Sequence, residues 1–204
     1  MASAPVITVW SDYVCPWCYV GLTEVEKLRQ QWDFSIDWRP FLLRPETPDE
    51  GWPLPEHIRQ RIADPNNPLT LRAKSMGLTI IHREHVPSSR RAHEATEYAR
   101  SKGKIDAFHH GVLERYWSKQ QDLHDWAVLK SAALEAGLDG DEMQRQVDAG
   151  QWKATMLEGI EAGTQLGVSA VPTFIVGNTF VIQGAQPGSV FSQAFERLGA
   201  TPRG

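Results

Sequence analysis

Two cysteines are the whole sulfhydryl content of this 204-residue chain, and several other features are missing as well. No apolar run approaches the roughly 18 residues that a membrane-spanning helix needs. No basic excess points to a nucleic-acid partner: 21 Lys and Arg stand against 25 Asp and Glu, for a formal net charge of −4, with both signs scattered. There is no internal repeat, no low-complexity segment and no compositional mark of disorder. Residues 1–5 lack the basic start, the long apolar stretch and the small-residue cleavage site of a secretory leader. A cytoplasmic protein is therefore expected, with neither nucleic acid nor membrane as partner. Composition leaves monomer and homodimer both open.

The scarcity of cysteine gives the two present their meaning. Cys15 and Cys18 are three residues apart. A structural disulfide gains most by closing a long loop, and bridging this pair constrains almost nothing. The cytosol also keeps ordinary thiols reduced. A zinc site built on C-x-x-C needs two further ligands, usually a second close pair; no other cysteine exists, and His82/His85 and His109/His110, which could donate, all sit in polar, helical surroundings. No metal is expected. Redox chemistry remains.

Local patterning places the pair. Residues 6–10, Val-Ile-Thr-Val-Trp, are a compact β-branched run suited to a buried strand. Pro16 then opens a helical pattern carried by Leu22, Val25, Leu28 and Trp32, and proline is favoured in a first helical turn. Phe34, Ile36 and Trp38 alternate with polar residues as in a half-buried strand. Residues 44–55, with four prolines, read as an extended loop, and the pattern to about residue 166 is mostly helical. Within it, Ser88 is a candidate N-cap for a helix to residue 101. Helical segments follow over 105–116 and 125–136, and two more lie between 141 and 166, parted near Gly150. Residues 173–176 and 179–182 flank Gly177-Asn178, a two-residue hairpin signal. A last amphipathic helix spans 188–198. Neither the βαβ start nor the ββα end covers a sheet alone, so the two are expected to form one α/β unit with the helical block as an insertion. The expected division is 1–50 with 167–204, and 51–166.

A thiol attacks as thiolate. Cys15 at a helix N-terminus faces unpaired backbone N–H groups and the positive end of the helix dipole, both of which favour the anion. Cys15 is thus expected to be the exposed, low-pKa nucleophile and Cys18, one turn on, the resolving thiol of a dithiol–disulfide exchange. Trp17, between them, supplies no positive charge, unlike a histidine there, so the couple is expected to be less oxidising. Asp12 is read either as a cap of the turn before the helix or as proton acceptor for Cys18. His93 is read as solvent-exposed in preference to lying on a helix that approaches the cysteines, and its role is left open.

These stretches resemble the DsbA family, in particular its cytoplasmic FrnE-like branch. Residues 11–21, which contain Cys-Pro-Trp-Cys, and residues 167–174, which contain Val171-Pro172-Thr173, carry the likeness, together with 134–138 and 184–186. The resemblance implies an α/β thioredoxin fold with a large all-helical, DsbA-like insertion. It also implies a cis peptide before Pro172 facing the cysteines, which would offer the Val171 backbone to an extended peptide. Pro16, Trp17, Val171 and Pro172 are the candidate substrate-binding residues, and protein or peptide thiols and disulfides the expected partners. No cofactor is called for beyond the redox-active disulfide, with glutathione a candidate co-substrate. The fold also hosts glutathione-dependent isomerases of the 2-hydroxychromene-2-carboxylate type and kappa-class transferases, in which a serine usually takes the attacking position. A third reading, a peptide-binding module without turnover, leaves Cys18 without a purpose.

Overall fold

The computed structural model describes residues 4–203. Residues 1–3, on which part of the leader reading falls, and residue 204 lie outside the described residues. In chain order the elements are β1 (Val6–Ser11), α1 (Pro16–Leu28), β2 (Ser35–Pro40), β3 (Trp52–Pro53), α2 (Glu56–Ala63) and α3 (Pro68–Ser75). There follow β4 (His85–Val86), α4 (Arg90–Ser101), α5 (Ile105–Ser118), α6 (Trp126–Glu135) and α7 (Gly140–Asp148). The chain closes with α8 (Lys153–Gln165), β5 (Thr173–Val176), β6 (Phe180–Gln183) and α9 (Gly188–Arg197).

The chain divides into two compact units. One takes the chain up to Phe41 and from Gly159 onward, the other Leu42–Glu158. The sequence placed these limits at 50/51 and 166/167. The second limit falls inside α8, because the end of that helix packs on the sheet of the first unit while no break in its helical pattern marks the change.

In the first unit the strand order is β2-β1-β5-β6, with β1 parallel to β2 and antiparallel to β5, and β5 antiparallel to β6. A mixed sheet of this kind needs a crossover between its parallel strands, and α1 supplies it. Apolar residues of α1 and α9 cover one face: Phe174 meets Phe191 edge-on at 5.0 Å, and Trp32 and Phe34 each stand 5.3 Å from Phe195. Helix α1 ends at Leu28, so Trp32 lies beyond it, yet the N–H of Trp32 bonds the Leu28 carbonyl and the indole stays in the core. On the other face the end of α8 approaches closely. A Cβ at Gly159 would come 2.8 Å from the Pro40 ring, and one at Gly163 2.5 Å from Trp10 Nε1. The Trp10 indole donates to the Gly159 carbonyl at 3.1 Å.

The hairpin differs from the expected two-residue loop. Gly177 and Asn178 both have positive φ, Thr179 N–H bonds the Val176 carbonyl, and Val176 pairs with Phe180. Thr179 is therefore spent in closing the turn, and the strand begins one residue later.

The second unit is helical with a two-strand ribbon, β3 with β4. The ribbon lies where a loop and helices were expected: two-residue strands show no periodicity, and Pro53 argued against one. Leu113, Leu129, Tyr116, Phe108 and Met143 form its apolar interior. Asp125 and Asp139 cap α6 and α7 with side-chain oxygens on N–H groups of the first turn. The cap position of α4 is Ser89 rather than Ser88.

Candidate active site

Helix α1 begins where the sequence placed it. Cys15 is its N-cap residue, with β-region backbone angles, and Pro16 sits in the first turn. The preceding turn is closed by Cys15 N–H on the Asp12 carbonyl at 3.1 Å, with a weaker contact from Val14 N–H to Asp12 Oδ1 at 3.4 Å. Asp12 thus does cap this turn, as one of its two expected roles required, and it is wholly buried.

Both cysteines are free thiols. Cys15, expected to be exposed, is only 5 % exposed. The chain before β5 folds over it, and its Sγ donates to the Val171 carbonyl at 3.6 Å. That contact joins residues 156 positions apart and brings Cys15 and Val171, two of the expected site residues, together. The Val171–Pro172 peptide is cis. The Pro172 carbonyl accepts from Gly184 N–H at 2.8 Å, which fixes this segment against the start of the last loop. Pro16 and Trp17 are half-buried beside the cysteines.

The two sulfurs are electrostatically unlike. The Cys15 thiol is lowered below the ordinary cysteine range, first by the hydrogen bond from Cys18 and then by the N–H groups of Cys18 and Trp17, against burial and the Asp12 charge. The thiol makes no capping hydrogen bond, so these N–H groups act on it through their dipoles rather than as a formed cap. Cys18 is pushed well above that range, first by burial, then by its bond to Cys15 and the charge there. A negative charge shared by this pair therefore settles on Cys15.

Gly21 is a positioning residue that sequence reasoning passed over except as part of a matching stretch. A Cβ there would come 3.1 Å from the Phe174 ring and 3.2 Å from Pro172 Cγ, so its lack of a side chain lets α1 lie close to the Pro172 segment. The available signal was an isolated glycine inside a helical pattern. His93, expected to be exposed, is buried in α4, because it lies on the helix face that also carries Ala92, Thr96 and Ala99. Among the described residues no group of three or more His, Cys, Asp or Glu side chains is gathered as a metal site would need, and no helix is long and apolar enough to cross a membrane.

A family model described as DSBA-like thioredoxin domain matches residues 6–196. An uncharacterized protein of Bacillus subtilis (strain 168), YwbO, is 29% identical over 191 residues, covering 92% of this chain and 94% of its own. A probable DsbA oxidoreductase from Streptomyces coelicolor superposes with a TM-score of 0.83 at 24% identity, over 96% of this chain and 90% of that one. A 2-hydroxychromene-2-carboxylate isomerase gives a TM-score of 0.77 at 16% identity, over 95% and 96%. At these identities the two structural likenesses speak to the fold alone.

Proposed function

The chain belongs to the family of DSBA-like thioredoxin domains, and from that premise we propose that it is a thiol–disulfide oxidoreductase acting on protein or peptide disulfides through Cys15 and Cys18. The Cys15 thiolate attacks one sulfur of a substrate disulfide. The other substrate sulfur leaves as thiolate and takes a proton, and a mixed disulfide joins substrate to Cys15. Cys18 then gives up its proton, attacks the Cys15 sulfur, and expels the second substrate thiol. The protein ends with a Cys15–Cys18 disulfide, two electrons having passed to the substrate; run backwards, the same steps oxidise a dithiol.

The observation that carries this reading is the opposite displacement of the two thiols, Cys15 downward and Cys18 upward. A nucleophile must be ionised before substrate arrives, and a resolving thiol must stay protonated until the mixed disulfide forms. The half-buried Val171, whose carbonyl meets the Cys15 sulfur, supports an extended peptide bound alongside, with Pro16, Trp17 and Pro172 at its edges. Glutathione fits the same chemistry as a small thiol co-substrate. We place the reaction in the cytoplasm, which cell fractionation tests.

The experiment is reduction of insulin disulfides, and oxidative refolding of a reduced protein, by the wild type, Cys15→Ser and Cys18→Ser. Both single variants should lose turnover, and only Cys18→Ser should accumulate reducible mixed disulfides. Equal adducts in Cys15→Ser would overturn the order of attack. Full turnover of a small aromatic substrate with glutathione by Cys18→Ser would replace this reading with the isomerase.

A further inference from the structure

Asp12 lies in the turn that delivers the chain from β1 to Cys15, with its carboxylate removed from solvent. Its main chain touches the site twice. The carbonyl accepts from Cys15 N–H at 3.1 Å, and the N–H is directed at the Cys18 sulfur. We propose that Asp12 is a positioning residue that sets the redox poise of the Cys15–Cys18 couple, its buried carboxylate opposing negative charge on either sulfur and so favouring the disulfide over the dithiol. This inference rests on the redox reading above.

A carboxylate in water acts weakly on a sulfur several ångströms away, whereas one without access to solvent is poorly screened. The Asp12 charge raises both thiols, Cys15 and Cys18 alike. Negative charge on the reduced pair sits on the Cys15 sulfur, whose thiol is lowered while that of Cys18 is raised, and the disulfide carries no charge. Whatever penalises the thiolate therefore shifts the equilibrium Cys15-SH + Cys18-SH + GSSG ⇌ Cys15–Cys18 disulfide + 2 GSH to the right. In this exchange the protein loses two electrons and two protons, and glutathione disulfide gains them. Asp12 thereby makes the protein a better electron donor. The same residue's N–H does the opposite at Cys18, where it lowers the thiol. Main chain and side chain can be separated by substitution.

Asp12→Asn keeps the shape and both main-chain contacts and removes only the charge. Equilibrating wild type and variant with glutathione buffers should show the constant above falling by about tenfold in the variant, a potential about 30 mV more oxidising for a two-electron couple. The thiolate absorbance of Cys15 should appear at lower pH. Asp12→Glu, which restores a carboxylate, should recover most of the wild-type constant, a rescue that a merely structural role does not predict. Asp12→Ser, small and still able to accept from Val14 N–H, serves as a second neutral variant should Asp12→Asn fail to fold. An unchanged constant in a folded neutral variant overturns the inference, as does an equal shift in Asp12→Glu. The readout is the equilibrium of the couple, so a protein with a measurable constant and no activity on protein disulfides defeats the proposed function alone.

Discussion

Replacing Gly163 by alanine sets two effects against each other, and the structure decides the sign. In the interior of a helix alanine is favoured over glycine by about 1 kcal/mol, and Gly163 lies within α8. Against this, the new methyl would sit 2.5 Å from Trp10 Nε1 and 2.8 Å from Cδ1. The indole cannot swing away cheaply: Trp10 is buried in the central strand β1, and its N–H is committed to the Gly159 carbonyl. Overpacking of a well-filled core costs about 1–3 kcal/mol, and losing the indole bond adds about 1 kcal/mol. The net expectation is destabilisation of about 1–3 kcal/mol, read as a lower urea midpoint at unchanged slope. Phenylalanine at position 10 lacks the pyrrole atoms nearest the methyl. In a Trp10→Phe background the Gly163→Ala penalty should therefore shrink, and a double-mutant cycle should show coupling beyond about 0.5 kcal/mol. A Gly163→Ala protein as stable as wild type, or strict additivity with Trp10→Phe, would refute the close-packing argument.

Two further outcomes follow from the helical unit. His109, buried in α5, is held well below the ordinary imidazole value of 6.5 by burial first, then by the charges of His93, His110 and Arg100. The unfolded chain takes up this proton as pH falls through 6.5 while the folded chain does not, so stability is full above that pH and declines below it. Urea midpoints should fall on acidification through this window, less so in His109→Gln; midpoints that rise instead would contradict the assignment. Asp139 caps α7 through Oδ1, which accepts from the N–H groups of Asp141 and Glu142 at 2.9 Å each. Asp139→Ala should cost about 1 kcal/mol in the same assay, and no loss would mean the cap is not formed in solution.

Much of the sheet-bearing unit was legible in the sequence because its signals are local. A β-branched run, a proline in a first helical turn and a paired hairpin each speak within a few residues, and the two cysteines lie between them. What the sequence could not carry were the long-range contacts. The resemblance set the Val171–Pro172 segment opposite the cysteines, but nothing near Cys15 reveals how closely the Val171 carbonyl approaches it, so a cysteine expected to be exposed is buried. His93 was misjudged for a related reason: a polar residue on a helix reads as exposed unless the neighbours of its face are known. The ribbon of β3 and β4 is too short to have a period. The domain limit within α8 was invisible because one continuous helix serves both units. Asp12 was legible as a turn residue, whereas its burial beside both sulfurs belongs to the folded chain.

The central claim is that Cys15 holds the negative charge of the pair and so attacks first. Thiolate ultraviolet absorbance, followed against pH in the reduced wild type, Cys15→Ser and Cys18→Ser, tests it without requiring a reagent to reach a buried sulfur. The account predicts one thiol ionising below the ordinary cysteine range in the wild type, a step that disappears in Cys15→Ser and persists in Cys18→Ser, whose hydroxyl can still donate to the Cys15 sulfur. A low step that survives in Cys15→Ser, or a wild type in which neither thiol ionises below that range, would contradict it.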